Sequence, residues 1–197
     1  MAQIIFRQQA IDLSYWAGLL SPEDCQSLIQ IGKSLLQPAM VTDPLSGQLR
    51  WDSARASEMA WPNRSEYPLL QKIAAGVERL TGIPQEDQEP LQILHYRPGG
   101  EYRPHFDAFP ESSKTLAQGG NRQMTLILYL NTPAAGGDTA FPELSMTVSP
   151  IAGCGVLFKN LDEVGHPHPL SLHAGLPVRQ GEKWIATTWI RECPYTA

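Results

Sequence analysis

From Pro90 onward the chain is cut into short runs of β-forming residues, and that punctuation excludes a helix bundle. "LQILHY" (91–96), "MTLILYLN" (124–131), "MTVSP" (146–150), "GVLFKN" (155–160), "LSLHAG" (170–175) and "KWIATTWI" (183–190) are separated by proline- and glycine-bearing turns such as "PAAGGD". Runs this short, rich in β-branched and aromatic residues and spaced this regularly, predict antiparallel strands. The architectures open to them are a sandwich, a barrel or a jelly roll. The 17 Pro and 16 Gly among 197 residues agree with many turns.

The first half reads differently. "SPEDCQSLIQIGKSLLQP" has a helix start at Ser21, with Pro22 in the first turn and Asp24 bringing a carboxylate to it. Cys25, Leu28, Ile29, Gly32, Leu35 and Leu36 recur at helical spacing, and Pro38 stops the run. A second helix is expected from about Glu66 to Thr81, with a stripe of Leu69, Leu70, Ile73, Val77 and Leu80 closed by Gly82 and Pro84. The expected class is therefore α+β: one domain over 1–197, with a helical support region and first strands over about 1–90 and an all-β core over about 91–192. "FPESSKTLAQGGNRQ" (109–123) is polar and is expected as a surface loop or lid.

The net charge of −5 argues against nucleic acid as a partner, because phosphate contacts need a basic surface. Cys25, Cys154 and Cys193 are far apart and odd in number, so neither a disulfide framework nor a thiolate metal site is expected. Arg7 and Asp12 interrupt the apolar residues of the N-terminal stretch. No signal peptide and no membrane span is expected, and a cytoplasmic chain with no membrane partner is the reading. The oligomeric state is left open.

Within "LHYRPGGEYRPHFDAF", His105 and Asp107 stand two apart. In extended backbone they point to one face, where an imidazole and a carboxylate can share an ion. A third ligand would come from His95, His166, His168 or His173, and His173 in "LSLHAG" fits best because it lies in a β-like segment. Two histidines and one carboxylate make the facial set of non-haem Fe(II) oxygenases, with positions left open for reactants. Such iron commonly draws electrons from 2-oxoglutarate, whose distal carboxylate needs a buried cation. Lys183, heading the apolar run "KWIATTWI", can supply it. By alternation Phe106 is expected to face away from the ion and pack in the other layer. "GHPHP" (165–169) also allows a zinc site of His166 and His168 with His173, but Pro167 and Pro169 favour a stiff surface loop.

The longer patterns carry a resemblance. Y-x-x-G-x-x-Y-x-x-H-x-D over Tyr96, Gly99, Tyr102, His105 and Asp107, and H-A-G-x-P-V-x-x-G-x-K-W over His173 to Trp184, resemble the catalytic domain of prolyl 4-hydroxylases. That family belongs to the Fe(II)/2-oxoglutarate dioxygenases, and the resemblance covers roughly residues 20–192. It implies a double-stranded β-helix (jelly roll) braced by the N-terminal helices. It implies a catalytic set of His105, Asp107, His173 and Tyr102, the first three on Fe(2+). Lys183 would bind the distal carboxylate of 2-oxoglutarate, Tyr96 would donate a phenol hydrogen bond to the same end, and Thr125 would reach the cosubstrate. Tyr102, Arg122, Trp189 and Glu89 would meet the peptide. The implied reaction consumes O2, hydroxylates C4 of a prolyl residue in a peptide or protein, and yields succinate and CO2, with ascorbate as reductant.

One position departs from the pattern: the family often has cysteine after H-A-G, and here the residue is Leu176. That cysteine is not a ligand, so the chemistry is not in doubt. The carboxylate of Asp107 favours hydroxylation over halogenation, which needs that coordination position open. The alternatives are an oxygenase of the same superfamily acting on a free amino acid or another side chain, and a jelly-roll binding module without turnover.

Overall fold

Alternation along the apolar runs decides how the molecule is layered. The computed structural model describes residues 2–42, 49–51 and 56–196. In chain order, β1 (Gln3–Gln8) and β2 (Leu13–Ala17) precede α1 (Pro22–Leu35). Next come β3 (Gln37–Pro38), β4 (Met40–Thr42), β5 (Leu49–Trp51), β6 (Glu58–Ala60) and α2 (Pro68–Thr81). The second half holds β7 (Gln92–Tyr96), β8 (Tyr102–His105), β9 (Arg122–Tyr129), β10 (Ala135–Gly136), β11 (Thr139–Phe141) and β12 (Met146–Val148). It ends with β13 (Gly155–Lys159), β14 (His173–Gly175), β15 (Val178–Gln180) and β16 (Lys183–Arg191).

The strands build an eight-stranded sheet, β1-β2-β13-β9-β16-β7-β6-β3, and a four-stranded sheet, β12-β11-β14-β8. All pairings are antiparallel among the described strands, as a jelly roll requires. In β9, Ile127 and Tyr129 join a core with Val156 and Phe158 of β13, Ile185 of β16, Leu94 of β7, and Phe141 and Val148 from the smaller sheet. The intervening Leu126 and Leu128 turn the other way, with Ile93, Leu157, Trp184, Ala186 and Ile190, onto Cys25, Leu28 and Ile29 of α1 and Leu70, Ile73 and Val77 of α2. The large sheet is buried on both faces, so its central strands read as unbroken apolar runs rather than alternating ones. Each fully buried Leu, Ile or Phe contributes about 1.5–3 kcal/mol relative to exposure.

Both helices start and stop where the sequence directs. The Ser21 hydroxyl accepts from the Asp24 amide while the Asp24 carboxylate accepts from the Ser21 amide, a reciprocal cap. The second helix begins at Pro68, two residues later than expected, and Gly82 closes it in a left-handed conformation. Gly32 lets α1 lie against the sheet: a Cβ there would stand 2.8 Å from Ile93 Cγ2 and 3.1 Å from Trp184 Cζ3.

Among the first strands, β1 and β2 form a hairpin that joins β13 in the large sheet, and β6 pairs with β7 across the boundary expected near residue 90. One expectation needs correction. The segment 109–123 is not a plain surface loop: Phe109, Ser113, Thr115 and Asn121 are buried, and Lys114–Gln118 is a 3-10 turn. The Asn121 side chain accepts from the Phe109 amide and donates to the Phe109 carbonyl, so polar bonds hold this segment where an apolar pattern does not show.

Candidate metal centre and cleft

Strands β8 and β14 are neighbours in the small sheet, and their register sets His105 directly opposite His173. β8 ends at His105, so the extended stretch expected over 102–107 stops short of Asp107, yet the carboxylate still returns to both imidazoles. One ligand atom from each of His105, Asp107 and His173 lies within 4.8 Å of the other two. His105 Nε2 is 3.7 Å from Asp107 Oδ1, and His173 Nε2 is 3.6 Å from Asp107 Oδ2. Among the described residues this is the cluster of histidine, cysteine and acid that can hold a metal.

The rings are oriented from behind. His105 Nδ1–H donates to the Arg103 carbonyl (2.8 Å) and His173 Nδ1–H to the Ser171 carbonyl (2.9 Å). A carbonyl only accepts, so each Nδ1 keeps its proton and each Nε2 presents a lone pair to the centre. Phe141 and Phe158 pack on the His173 ring, and Tyr102 stacks on the His105 ring at 3.6 Å. Burial works to raise the Asp107 pKa, but His173 and His105 when protonated, with the Arg122 guanidinium, outweigh it and hold the carboxyl down at about 2. A fixed carboxylate with two oriented imidazoles suits a divalent first-row metal with open positions.

Thr125 departs from its expected role. Its hydroxyl donates to Asp107 Oδ2 (2.7 Å) and accepts from the Asn160 side chain (2.7 Å). It is fully buried behind the carboxylate, so it braces Asp107 rather than facing the cleft. Phe106 also differs from expectation. It is 43% exposed and lines the cleft, because β8 ends before it.

The cleft, about 890 Å³, runs between the two sheets. Along β16 the odd-numbered residues line it: Lys183, Ile185, Thr187, Trp189 and Arg191. Lys183 pairs in register with Tyr96 and is 2% exposed. Its ammonium lies 5.4 Å from the Tyr96 ring centre and 5.9 Å from that of Tyr129. Burial pulls its pKa down to about 8, with Asp138 opposing the shift. A buried cation so placed is suited to a small carboxylate. Thr139, which the sequence reading missed, lines the same end, where its hydroxyl meets that of Tyr129.

Toward the other end, Trp189 stands opposite Thr125 in the register, level with the metal ligands. The Arg122 guanidinium lies 3.8 Å over the Trp189 ring and grips Glu89 with two bonds of 2.7 and 2.8 Å. Arg191, also missed by the sequence reading, brings Nε to 2.6 Å of Glu89 Oε1 as an ion pair. It continues the inward alternation of β16, but the apolar run legible in the sequence stops at Ile190. The remaining histidines lie apart from the centre. His95 bridges Glu58 and Glu182, His166 meets Glu111, and His168 accepts the Leu170 amide, which leaves no zinc cluster among the described residues.

The chain is similar to known proteins in sequence and in fold. Residues 91–191 match the family model described as the 2OG-Fe(II) oxygenase superfamily. A probable prolyl 4-hydroxylase 6 of Arabidopsis thaliana is 36% identical over 89% of this chain and 67% of its own length. The prolyl 4-hydroxylase subunit alpha-1 of Gallus gallus is 35% identical over 88% of this chain. The chain spans about two thirds of the plant relatives' length, 65% for a probable prolyl 4-hydroxylase 4, and 34% of the chicken subunit. A viral collagen prolyl hydroxylase from Paramecium Bursaria Chlorella virus-1, solved as its 2OG complex, superposes with a TM-score of 0.72 at 29% identity, covering 91% of this chain and 95% of that one.

Proposed function

The chain belongs to the 2OG-Fe(II) oxygenase superfamily, among its prolyl 4-hydroxylases, and from that membership we propose that it hydroxylates C4 of prolyl residues in a peptide or protein. The observation that carries the reading is one cleft holding a two-histidine, one-carboxylate centre in mid-course, a buried lysine at one end and an arginine–tryptophan wall beside the centre.

Fe(II), when bound, supplies O2 activation coupled to decarboxylation of 2-oxoglutarate to succinate and CO2, and ascorbate serves as its reductant. The three donor atoms converge, are deprotonated or carry free lone pairs, and are braced from behind, so the residues fit that ion. The chain's own part is positioning and the exclusion of water. Lys183 takes the distal carboxylate of the cosubstrate, beside the Tyr96 ring, at the dry end of the cleft. Tyr102, stacked on the His105 ring, and Trp189, held flat under Arg122, form two aromatic walls for a pyrrolidine ring near the centre. Glu89 fixes Arg122 in that pose through its paired bonds.

Wild type, supplied with Fe(II), 2-oxoglutarate, ascorbate and proline-rich peptides, should release succinate and add one oxygen to proline, read by mass spectrometry. His105→Ala should lose both products. Equal activity of His105→Ala and wild type would refute the metal assignment. Succinate formation with oxygen placed on a residue other than proline would favour the superfamily hydroxylase of another side chain.

A further inference from the structure

The cleft continues beyond Trp189 into a chamber whose charge contrasts with the rest of the chain. Apart from Lys183 and the metal ligands, the described charged side chains lining it are Arg64, Arg103, Arg122, Arg191 and Glu89. Arg103 turns to Glu101 at 3.6 Å. Arg122 and Arg191 share the Glu89 carboxylate and Arg64 lines the same cleft, three positive charges against one negative in a chain whose net charge is −5. Such an imbalance in a low-dielectric recess favours an incoming anion.

Several features show a built recess rather than loose surface arginines. Arg191 is 1% exposed, lines the cleft, and has an Nε with no aligned hydrogen-bond partner despite its ion pair. One of its terminal nitrogens donates to the Gly120 carbonyl at 2.6 Å, which fixes the head group. Arg64 is half-buried and donates one hydrogen bond, to the Gln85 carbonyl at 3.3 Å. The C-terminal segment forms the outer wall: Tyr195 lies 5.5 Å from the Arg191 guanidinium, and its amide is tied to the Glu86 carbonyl at 2.7 Å. Two residues of strand separate Arg191 from Trp189, about 7 Å, which an extended or polyproline peptide crosses in about two residues.

We propose that this chamber is a specificity subsite for a carboxylate of the peptide substrate, placed about two residues from the target proline. The inference rests on the prolyl reading above and names the substrate class within it: proline-containing peptides with an acidic flank. Glu89 and the carbonyls of Gln85, Thr115 and Gly120 take only part of what three guanidinium groups, with five N–H donors each, can give. A substrate carboxylate supplies the missing acceptors in charge-assisted bonds. Two sources offer that chemistry, an internal Asp or Glu and a free C-terminal carboxylate.

The test compares wild-type kcat/KM for matched proline peptides carrying Glu or Gln at each of four positions on either side of the proline, with amidated and free C-termini. A Glu peptide should exceed its Gln partner by roughly ten- to hundredfold at a favoured position, through KM more than kcat. Preference for the free terminus alone would assign the site to a terminal carboxylate. Arg64→Gln and Arg191→Gln should each cut the Glu preference, and Arg64→Lys should retain part of it. Equal turnover of Glu and Gln peptides with no effect of the terminus would overturn this inference and leave the prolyl reading intact. Full preference in both Gln variants would overturn the location. Failure of every proline peptide would overturn the prolyl reading and this subsite with it.

Discussion

Lys183 shows how much a single residue's surroundings set its chemistry. Its pKa of about 8 lies below that of a solvated lysine because burial disfavours the charge. In the folded protein without cosubstrate, the proton is lost as pH rises through about 8, while the unfolded chain keeps it until about 10.4. Burial of the charge therefore costs stability in full below pH 8, and the penalty fades as pH climbs toward the unfolded value. Binding of a carboxylate needs the protonated form, so the KM for 2-oxoglutarate should rise above pH 8, approaching about tenfold per pH unit. Steady-state KM measured from pH 7 to 9.5 checks this, and a flat profile would show that the carboxylate does not rely on this ammonium. Lys183→Ala should raise the 2-oxoglutarate requirement far more than the iron requirement. The convergence of His105, Asp107 and His173 and the cleft position of Lys183 were legible in long spaced patterns, although the strand expected to carry Asp107 ends at His105. Thr125, Phe106 and Arg191 were not, since a strand's end and a side chain's final partner depend on contacts far away in sequence.

At the level of elements, α1 and α2 could be read almost to the residue because caps and stripes are local signals. The β1–β2 hairpin could not. The outer strand β1 is mostly exposed, and only pairing with β13 gives β2 a buried face, so the apolar pattern of residues 3–17 is incomplete without its partner. Gly32 carried a signal that the stripe alone obscured. It sits at an apolar helix position where a larger residue is the ordinary choice, because the helix touches Ile93 and Trp184 there. Gly32→Val should therefore destabilise the protein by about 2 kcal/mol or more, overpacking outweighing the gain in helix propensity. Urea unfolding should show a lower midpoint with an unchanged slope. An unchanged midpoint would mean that α1 can lift off the sheet without loss.

For the whole molecule, the metal centre is also a fastener. Its ligands come from β8, the residues after it and β14, so an ion bound there ties the strand at the end of the small sheet to its neighbour. Ligand binding to the folded state alone adds about 2.7 kcal/mol at one hundred times Kd. For a chain of this size that corresponds to a rise in Tm of roughly 5–10 °C. Thermal scans with Fe(II) or Mn(II) under argon should show that rise, chelator should abolish it, and His173→Ala should not respond. A metal-independent Tm in the wild type would indicate that the centre binds too weakly to act as a fastener.

The inward row of β16 has a further consequence, for how such a protein can change over generations. Lys183, Trp189 and Arg191 sit on one strand as marks on a ruler whose smallest division is two residues, about 7 Å. A single-residue insertion or deletion between them would turn everything beyond it to the opposite face, sending Lys183 and the Trp189–Arg191 end to different sides of the sheet. Lineages built on this strand can exchange the letters at each mark, but they can alter its length only in even steps or by inventing a bulge.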